Sequence, residues 1–147
     1  MQLTRFTDLG LRVLMYLTGT DPGVPVTIAE IAERFAVPHN HLTKVVQFMG
    51  QQGWVLTVRG KGGGLRLARP PADYRLGDVV RLLEPEGPLI DCAQPPCALR
   101  LGCQLKGALD VAQQAFYDSL NRLTLADAIA PPTREALVRL HRPPPPP

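Results

Sequence analysis

Residues 27–68 read TIAEIAERFAVPHNHLTKVVQFMGQQGWVLTVRGKGGGLRLA, and this stretch decides the fold of the chain. Thr27 is a good N-cap for a short helix, and Glu30 follows it at the spacing of a capping box. A tight turn at 36–38 leads to a second helix, predicted over 39–52 and ended by Gly53. The apolar residues of both helices recur at helical spacing and predict one buried face on each: Ile28, Ile31, Ala32, Phe35, Leu42, Val45, Val46 and Met49.

After Gly53 the apolar pattern changes from helical to extended. Residues 54–59 and 65–68 predict two strands, and the segment between them, 60–64, reads Gly-Lys-Gly-Gly-Gly. Two short helices joined by a tight turn and followed by a hairpin with a basic, glycine-rich tip are typical of a winged helix-turn-helix. The predicted fold class is therefore mainly α with a small β-hairpin wing.

Outside this stretch the pattern predicts further helices at 3–17 and 76–83, a long helix at 101–123 and a short one opened by Thr124. The long helix carries an apolar stripe: Leu105, Ala108, Leu109, Ala112, Phe116 and Leu120. A helix this long outside a small domain indicates a partner, so we expect it to serve dimerisation. The expected organisation is a DNA-binding domain (1–83), a cysteine loop (84–103), a dimerisation helix with a short terminal helix (104–130) and a disordered, proline-rich tail (131–147).

The second short helix is the expected recognition helix, because a helix fits the major groove and presents its N-terminal residues to base edges. The candidate DNA-binding residues on it all have side chains that can form hydrogen bonds: His39, Asn40, His41, Thr43, Lys44 and Gln47. On the wing we expect Arg59 and Lys61 to contact phosphates, and Gly62 and Gly63 to permit a close approach to the backbone.

The charge distribution agrees with a nucleic-acid-binding first half. Residues 1–75 carry nine Lys/Arg and five Asp/Glu, whereas the remaining residues carry seven and eight. No apolar run has the length of a membrane span, and the N-terminus has no signal-peptide pattern, so we expect a cytoplasmic protein with no membrane association. No nucleophile–base pair, phosphate loop or paired acids indicate an enzyme, and no catalytic residues are assigned.

Three cysteines, Cys92, Cys97 and Cys103, lie within twelve positions of a proline-rich segment. An odd number of cysteines in a reducing compartment argues against a disulfide framework. Thiolates are soft ligands that favour an iron–sulfur cluster or zinc, both of which normally take four ligands, and this loop supplies three. An iron–sulfur cluster is the favoured interpretation; zinc binding, thiol redox sensing and cysteines without a cofactor remain open.

The sequence resembles the IscR/NsrR family of winged-helix iron–sulfur regulators, and its nitric-oxide-sensing NsrR-like members more closely. The resemblance covers Met1 to about Ile129. It rests on the opening MQLTRFTDLGLR, the wing VRGKGGG at 58–64, Gly77-Asp78-Val79-Val80, the three cysteines and Thr124-Leu125-Ala126-Asp127.

The resemblance implies one cluster per subunit, [2Fe-2S] or [4Fe-4S], bound by the three cysteines and completed by Asp8 of the partner subunit. IscR-like proteins use a histidine three positions after the last cysteine; this chain has Lys106 there, which favours the NsrR-like type. The resemblance further implies a homodimer on a palindromic operator in double-stranded DNA. The homodimer would repress transcription until nitric oxide attacks the cluster.

Two different functions are also compatible with these residues. A regulator of the same family could use its cluster to report iron status or the demand for iron–sulfur assembly. A zinc- or thiol-dependent regulator or interaction module, in which the hairpin contacts protein, is the second possibility. Metal and sulfide analysis of anaerobically prepared protein separates the cluster hypotheses from the zinc and thiol hypotheses.

Overall fold

The computed structural model describes residues 2–20 and 24–142. In chain order these residues form α1 (Arg5–Thr18), α2 (Ile28–Arg34), α3 (His39–Gln51), β1 (Val55–Val58), β2 (Gly64–Leu67), a 3-10 turn (Pro71–Asp73), α4 (Leu76–Leu83), α5 (Gln104–Leu120), α6 (Leu125–Ala128) and α7 (Thr133–His141). The two strands pair antiparallel, with Val55 opposite Leu67 and Val58 opposite Gly64. The predicted fold class, mainly helical with a hairpin wing, is confirmed.

Threonine side chains begin three of the helices. Thr4 and Thr27 each accept a hydrogen bond from the backbone N–H three residues on, which satisfies one free donor of the first turn. Thr124 makes the full capping box with Asp127, and the hydrogen bonds from the Thr124 backbone and hydroxyl lower the pKa of the Asp127 carboxyl. At α2 only half of the expected box forms, because the Glu30 carboxylate accepts from the Tyr16 hydroxyl instead.

The core is built around α1, whose buried face is Leu9, Val13, Leu14, Tyr16 and Leu17. This face packs against α3, α4 and β2, so the helix-turn-helix and the wing share one hydrophobic cluster. Burial and the Glu30 acceptor raise the pKa of the Tyr16 hydroxyl, which keeps the phenol protonated as the donor of that bond.

Tyr74 connects the base of the wing to α4. Its buried hydroxyl donates to the Trp54 carbonyl at 2.7 Å and accepts from the Arg69 N–H at 3.1 Å. Its backbone carbonyl accepts from the Leu125 N–H at 2.9 Å, which attaches α6 to the same point. One residue thus joins both ends of the hairpin to α6.

Gly77 allows α4 and α5 to approach closely. A methyl group at this position would collide with the Tyr117 carbonyl oxygen and lie 2.6 Å from the Asn121 side chain. Asn121 Oδ1 accepts from the Asp78 N–H at 2.9 Å, and its Nδ2 donates to Asp78 Oδ1 at 2.8 Å. The C-terminal end of α5 is therefore fixed to the N-terminal end of α4.

The long helix differs from its prediction at both ends. It runs over Gln104–Leu120 rather than 101–123, because Cys103 caps its first turn and Leu101 and Gly102 lie in turns. Of its residues only Tyr117 is buried. The predicted apolar stripe lies outside the core of the single chain and is exposed or half-buried along its whole length.

The prediction of a disordered tail from residue 131 is wrong for residues 133–141, which form α7. Two prolines precede this helix and prolines follow it, but 133–141 contain none, so the helix is compatible with the sequence. Leu137 is 6% exposed and Leu140 packs against the core, which gives α7 an apolar face. The prolines at 143–147 lie outside the described residues.

Within the described ranges, none of the helices has the length and apolar content that crossing a membrane requires.

We predict that Gly77→Ala lowers the free energy of unfolding by about 1–3 kcal/mol, because the added methyl group must push α5 away from α4. Gly107→Ala on α5 is the control, since nothing lies within 4 Å of its added methyl group. We expect that substitution to be neutral or to stabilise by up to about 1 kcal/mol. Urea unfolding at one protein concentration measures both, and equal midpoints for Gly77→Ala and wild type would contradict the close approach of the two helices.

Candidate DNA-binding interface and cysteine loop

One face of α3 is buried and the other is exposed. Leu42, Val45, Val46 and Met49 are buried against the core, whereas all six predicted recognition residues are exposed: His39, Asn40, His41, Thr43, Lys44 and Gln47. The structure therefore brings these six side chains together on one surface of a helix that its opposite face holds in place. Their contact with DNA stays a prediction.

The six side chains differ in whether they already form hydrogen bonds within the chain. The Thr43 hydroxyl donates to the His39 carbonyl at 3.0 Å and lies 3.4 Å from His39 Nδ1, so these two residues are partly engaged with each other. Asn40, His41, Lys44 and Gln47 make no side-chain hydrogen bond or ion pair within residues 2–20 and 24–142. The N-cap Pro38 supplies no side-chain acceptor, which leaves the first N–H groups of α3 available to an anion.

The wing places Arg59 and Lys61 at an exposed tip between β1 and β2. Gly60 and Gly62 have φ values of 96° and 78°, which favour glycine. At Gly63 a side chain would collide with the Val58 carbonyl oxygen. The predicted role of Gly62 and Gly63 in approaching DNA is untested, but both positions already need glycine to close the hairpin.

The wing and the recognition helix form one unit. The Trp54 N–H donates to the Met49 carbonyl at 2.9 Å, and the buried Trp54 ring meets Phe48 edge-on at 6.1 Å. The Leu65 N–H donates to the Val26 carbonyl at 2.6 Å, which joins the wing to the segment before α2. The orientation of the wing relative to α3 is therefore set by the core.

The three cysteines are free thiols, each half-buried, in a segment made of successive turns. The Cys97 N–H donates to the Cys92 carbonyl at 3.0 Å, and the Cys103 sulfur accepts from the Lys106 N–H at 3.4 Å. Among the residues that the structure describes, no three or more Cys, His, Asp or Glu side chains converge into a group that could hold a metal ion. The donor set has the soft sulfur ligands that an iron–sulfur cluster takes, but a single chain does not assemble them.

Asp8 lies on α1, away from these thiols in the chain, with its side chain 36% exposed. Its Oδ1 accepts from Arg12 Nε at 2.8 Å, and its Oδ2 lies 3.7 Å from Arg5 Nη1. Within one chain the carboxylate is thus paired with arginines of its own helix. Its predicted role as a ligand for the partner subunit's cluster remains a prediction.

Glu84, which the sequence analysis did not identify, joins the start of the cysteine loop to α1. Its Oε1 accepts from the Thr4 N–H at 2.8 Å, from the Thr4 hydroxyl at 3.0 Å and from the buried Thr7 hydroxyl. The first turn of α1, which also carries Asp8, is therefore held by the first residue of the loop. These partners are about eighty residues apart, so no local pattern identifies them.

The chain is similar to known proteins over most of its length. The Rrf2 family, described as "Iron-dependent Transcriptional regulator", matches residues 3–131. Among solved structures, IscR of T. potens is similar at 24% identity, with a TM-score of 0.71 over 92% of this chain and 88% of that one. CymR of Staphylococcus aureus is similar at 26% identity, with a TM-score of 0.62 over 85% and 95%. CymR of B. subtilis, the global cysteine regulator, has 22% identity and a TM-score of 0.64 over 87% and 95%.

We predict that Gly63→Ala disturbs the wing, because a methyl group there collides with the backbone of the same hairpin. Trypsin, which cleaves after Arg59 and Lys61, should then cut the wing faster than in wild type. The control is Gly50→Ala on α3, where nothing lies within 4 Å of the added methyl group and cleavage should not change. Identical cleavage of the Gly63 variant and wild type would show that the hairpin tolerates a side chain there.

Proposed function

We propose that this chain, which belongs to the Rrf2 family of transcriptional regulators, is a homodimeric DNA-binding repressor controlled by an iron–sulfur cluster that senses nitric oxide. A regulator of this kind acts by binding, in agreement with the expectation that the chain is not an enzyme. The family match and the winged fold carry the general assignment, and the cofactor and signal are our proposal.

The exposed surface of α3 is the observation that carries DNA binding. Six side chains able to form hydrogen bonds lie on a helix whose other face is buried, and the basic wing is held rigidly beside it. Side chains on such a helix select bases in the major groove, whereas Arg59 and Lys61 add contacts to phosphates. We assign sequence selection to α3 and salt-dependent affinity to the wing.

The dimer is supported by the exposed apolar surface of α5. Leu105 is 64% exposed, the other residues of the apolar stripe are exposed or half-buried, and Leu101, just before the helix, is 93% exposed. An apolar surface of this kind is expensive to leave in water, so a second copy of α5 is its proposed partner. Two winged domains joined in this way would face the two halves of a palindromic operator.

We assign Cys92, Cys97 and Cys103 as the ligands of the cluster, with Asp8 of the partner subunit as the fourth. A bound cluster would supply iron that reacts with nitric oxide, and a carboxylate is a weaker ligand for it than a thiolate. In this chain Asp8 would serve as a ligand in competition with its pairing to Arg12 and Arg5. That competition favours a ligand that is readily displaced.

Both ends of the cysteine loop are attached to structure that bears on DNA binding. At its start Glu84 holds the first turn of α1 through Thr4 and Thr7. At its end Cys103 caps α5, and the far end of α5 is fixed to α4 through Asn121 and Asp78. A change in the loop therefore acts on both the winged domain and the dimerisation helix, which together determine the spacing of the two α3 helices.

Thiol redox sensing is the second candidate. It is favoured by the three half-buried free thiols, two of which, Cys92 and Cys97, belong to residues joined by a backbone hydrogen bond. In this case oxidation of the thiols, rather than loss of a cluster, would change the loop. A zinc-binding regulator and an iron-status sensor differ from both candidates, and the metal content of the protein separates zinc from iron.

We predict that Arg59→Gln/Lys61→Gln weakens binding to all duplexes and lowers the salt dependence of log K by about 0.9 for each phosphate that the wing no longer neutralises. Asn40→Ala should instead leave the salt dependence unchanged and reduce the preference for the selected site, by about 1–3 kcal/mol. Fluorescence anisotropy over a salt series measures both, with an operator selected from random duplexes by the wild-type protein. A wing variant with wild-type salt dependence would contradict the assignment.

We predict that wild-type protein reconstituted anaerobically with iron and sulfide binds both, and that Cys97→Ala fails to retain them because one of three thiolate ligands is missing. The Asp8→Ala protein still has its three thiolate ligands, but after reconstitution it should show a changed visible spectrum. Its matched control is Asp110→Ala on α5. This substitution also removes a carboxylate that pairs with a cation of its own helix, here Lys106 at 2.5 Å. Zinc or no metal in wild type, or a Cys97→Ala protein whose DNA binding still responds to nitric oxide, would contradict the cluster.

A further inference from the structure

The C-terminal helix α7 is anchored to α1 through its last turn. His141 Nε2 lies 3.0 Å from the Tyr16 carbonyl oxygen, and the His141 ring lies 3.9 Å from the Tyr16 ring at a tilt of 30°. Leu137 is buried one turn before this contact. The end of α7 therefore has a defined place on α1.

Tyr16 connects this place directly to the first helix of the helix-turn-helix. Its hydroxyl donates to Glu30 Oε1 at 2.6 Å, in the first turn of α2, and its ring meets Phe35 edge-on at 5.8 Å. In a helix-turn-helix the first helix crosses the DNA backbone while the second enters the major groove. The last turn of α7 is thus separated by one side chain from the helix expected next to phosphates.

Charge along the sequence follows the same arrangement. Residues 76–130 carry four Lys/Arg and seven Asp/Glu, whereas residues 131–147 carry three Arg and one Glu. The chain therefore has two basic segments separated by an acidic one, and the contact between His141 and Tyr16 brings the second basic segment onto the first. Exposed Arg134, Arg139 and Arg142 have no carboxylate within 4.0 Å among the described residues.

The dipole of α7 favours the position of only one of the three arginines. Arg139 in the last turn is favourable near the negative end of the helix dipole. Arg134 lies at the opposite, positive end, where a cation is unfavourable, and Arg142 lies beyond the last helical residue. These three exposed arginines are therefore free to bind an anion outside the chain.

We infer that the end of α7 is a second phosphate-binding surface, on which Arg139 and Arg142 contact the DNA backbone beside the site read by α3. This inference rests on the proposed DNA-binding function. It extends the contact with DNA from α3 and the wing to the C-terminal segment. His141 is a positioning residue in this arrangement, because it holds the last turn of α7 against Tyr16, whose hydroxyl contacts α2.

The test is the salt dependence of binding to a random-sequence duplex of about three helical turns. Arg139→Gln/Arg142→Gln should lower the slope of log K against log salt by about 1.8 if both contacts exist. The loss of affinity should be the same for random and selected duplexes, because phosphate contacts carry no sequence information. Arg122→Gln, an exposed arginine of the acidic segment, is the control and should leave the slope unchanged.

His141→Ala is the second variant. It should also lower the slope, since the last turn of α7 then loses its contact with Tyr16. A slope equal to wild type for Arg139→Gln/Arg142→Gln would overturn the inference and leave an acidic protein surface as the better partner. If wild type bound no duplex, or Arg59→Gln/Lys61→Gln left the slope unchanged, the proposed function itself would fail, so the two failures are distinguishable.

Discussion

The packing of α1 between α3 and α4 is the constraint on which the rest of the structure depends. It is close at Gly10, where a methyl group would lie 2.8 Å from Leu83 Cδ1 and 3.3 Å from Met49 Cε. Because α1 touches both helices at this point, the inner face of α3 has a fixed surface behind it. A recognition helix without such support would lose the orientation that sequence selection in the major groove requires.

The same helix connects the three regions for which we propose a function. Its first turn is held by Glu84 at the start of the cysteine loop, its middle supports α3, and Tyr16 in its last part contacts both α2 and the end of α7. These contacts join residues that are far apart in sequence through one rigid element. The signal that we propose at the loop and the contact that we propose at the C-terminus would therefore reach α3 without a long chain of intermediate residues.

The single chain is complete as a winged domain but does not assemble the sensor site that we propose. Its core is closed around α1, whereas the apolar surface of α5 is exposed, the described thiols do not converge and Asp8 is paired with arginines of its own helix. All three features are explained together if a second copy covers α5 and brings its α1 to the cysteine loop. The similarity to both IscR of T. potens and the CymR proteins shows that related structures share this fold.

The sequence by itself determined the elements whose stability is local. The spacing of Leu42, Val45 and Met49, the Thr27 cap and the glycine-rich tip predicted α2, α3 and the wing close to their observed bounds, and the apolar pattern over 76–83 predicted α4. Helical periodicity and capping depend on residues within one or two turns, so a short stretch is enough to identify them. The exposed face of α3, which holds the six candidate recognition residues, followed from the same periodicity.

Only the tertiary structure decided which distant residues meet. The hydrogen bonds of Glu84 with Thr4 and Thr7 and the contact of His141 with Tyr16 join partners 77 to 125 positions apart. The sequence analysis did not predict α7, which lies between prolines. Its apolar face, Leu137 and Leu140, is short and packs only against the folded core. Pairing over such separations depends on the packing of whole helices, which local propensity does not encode.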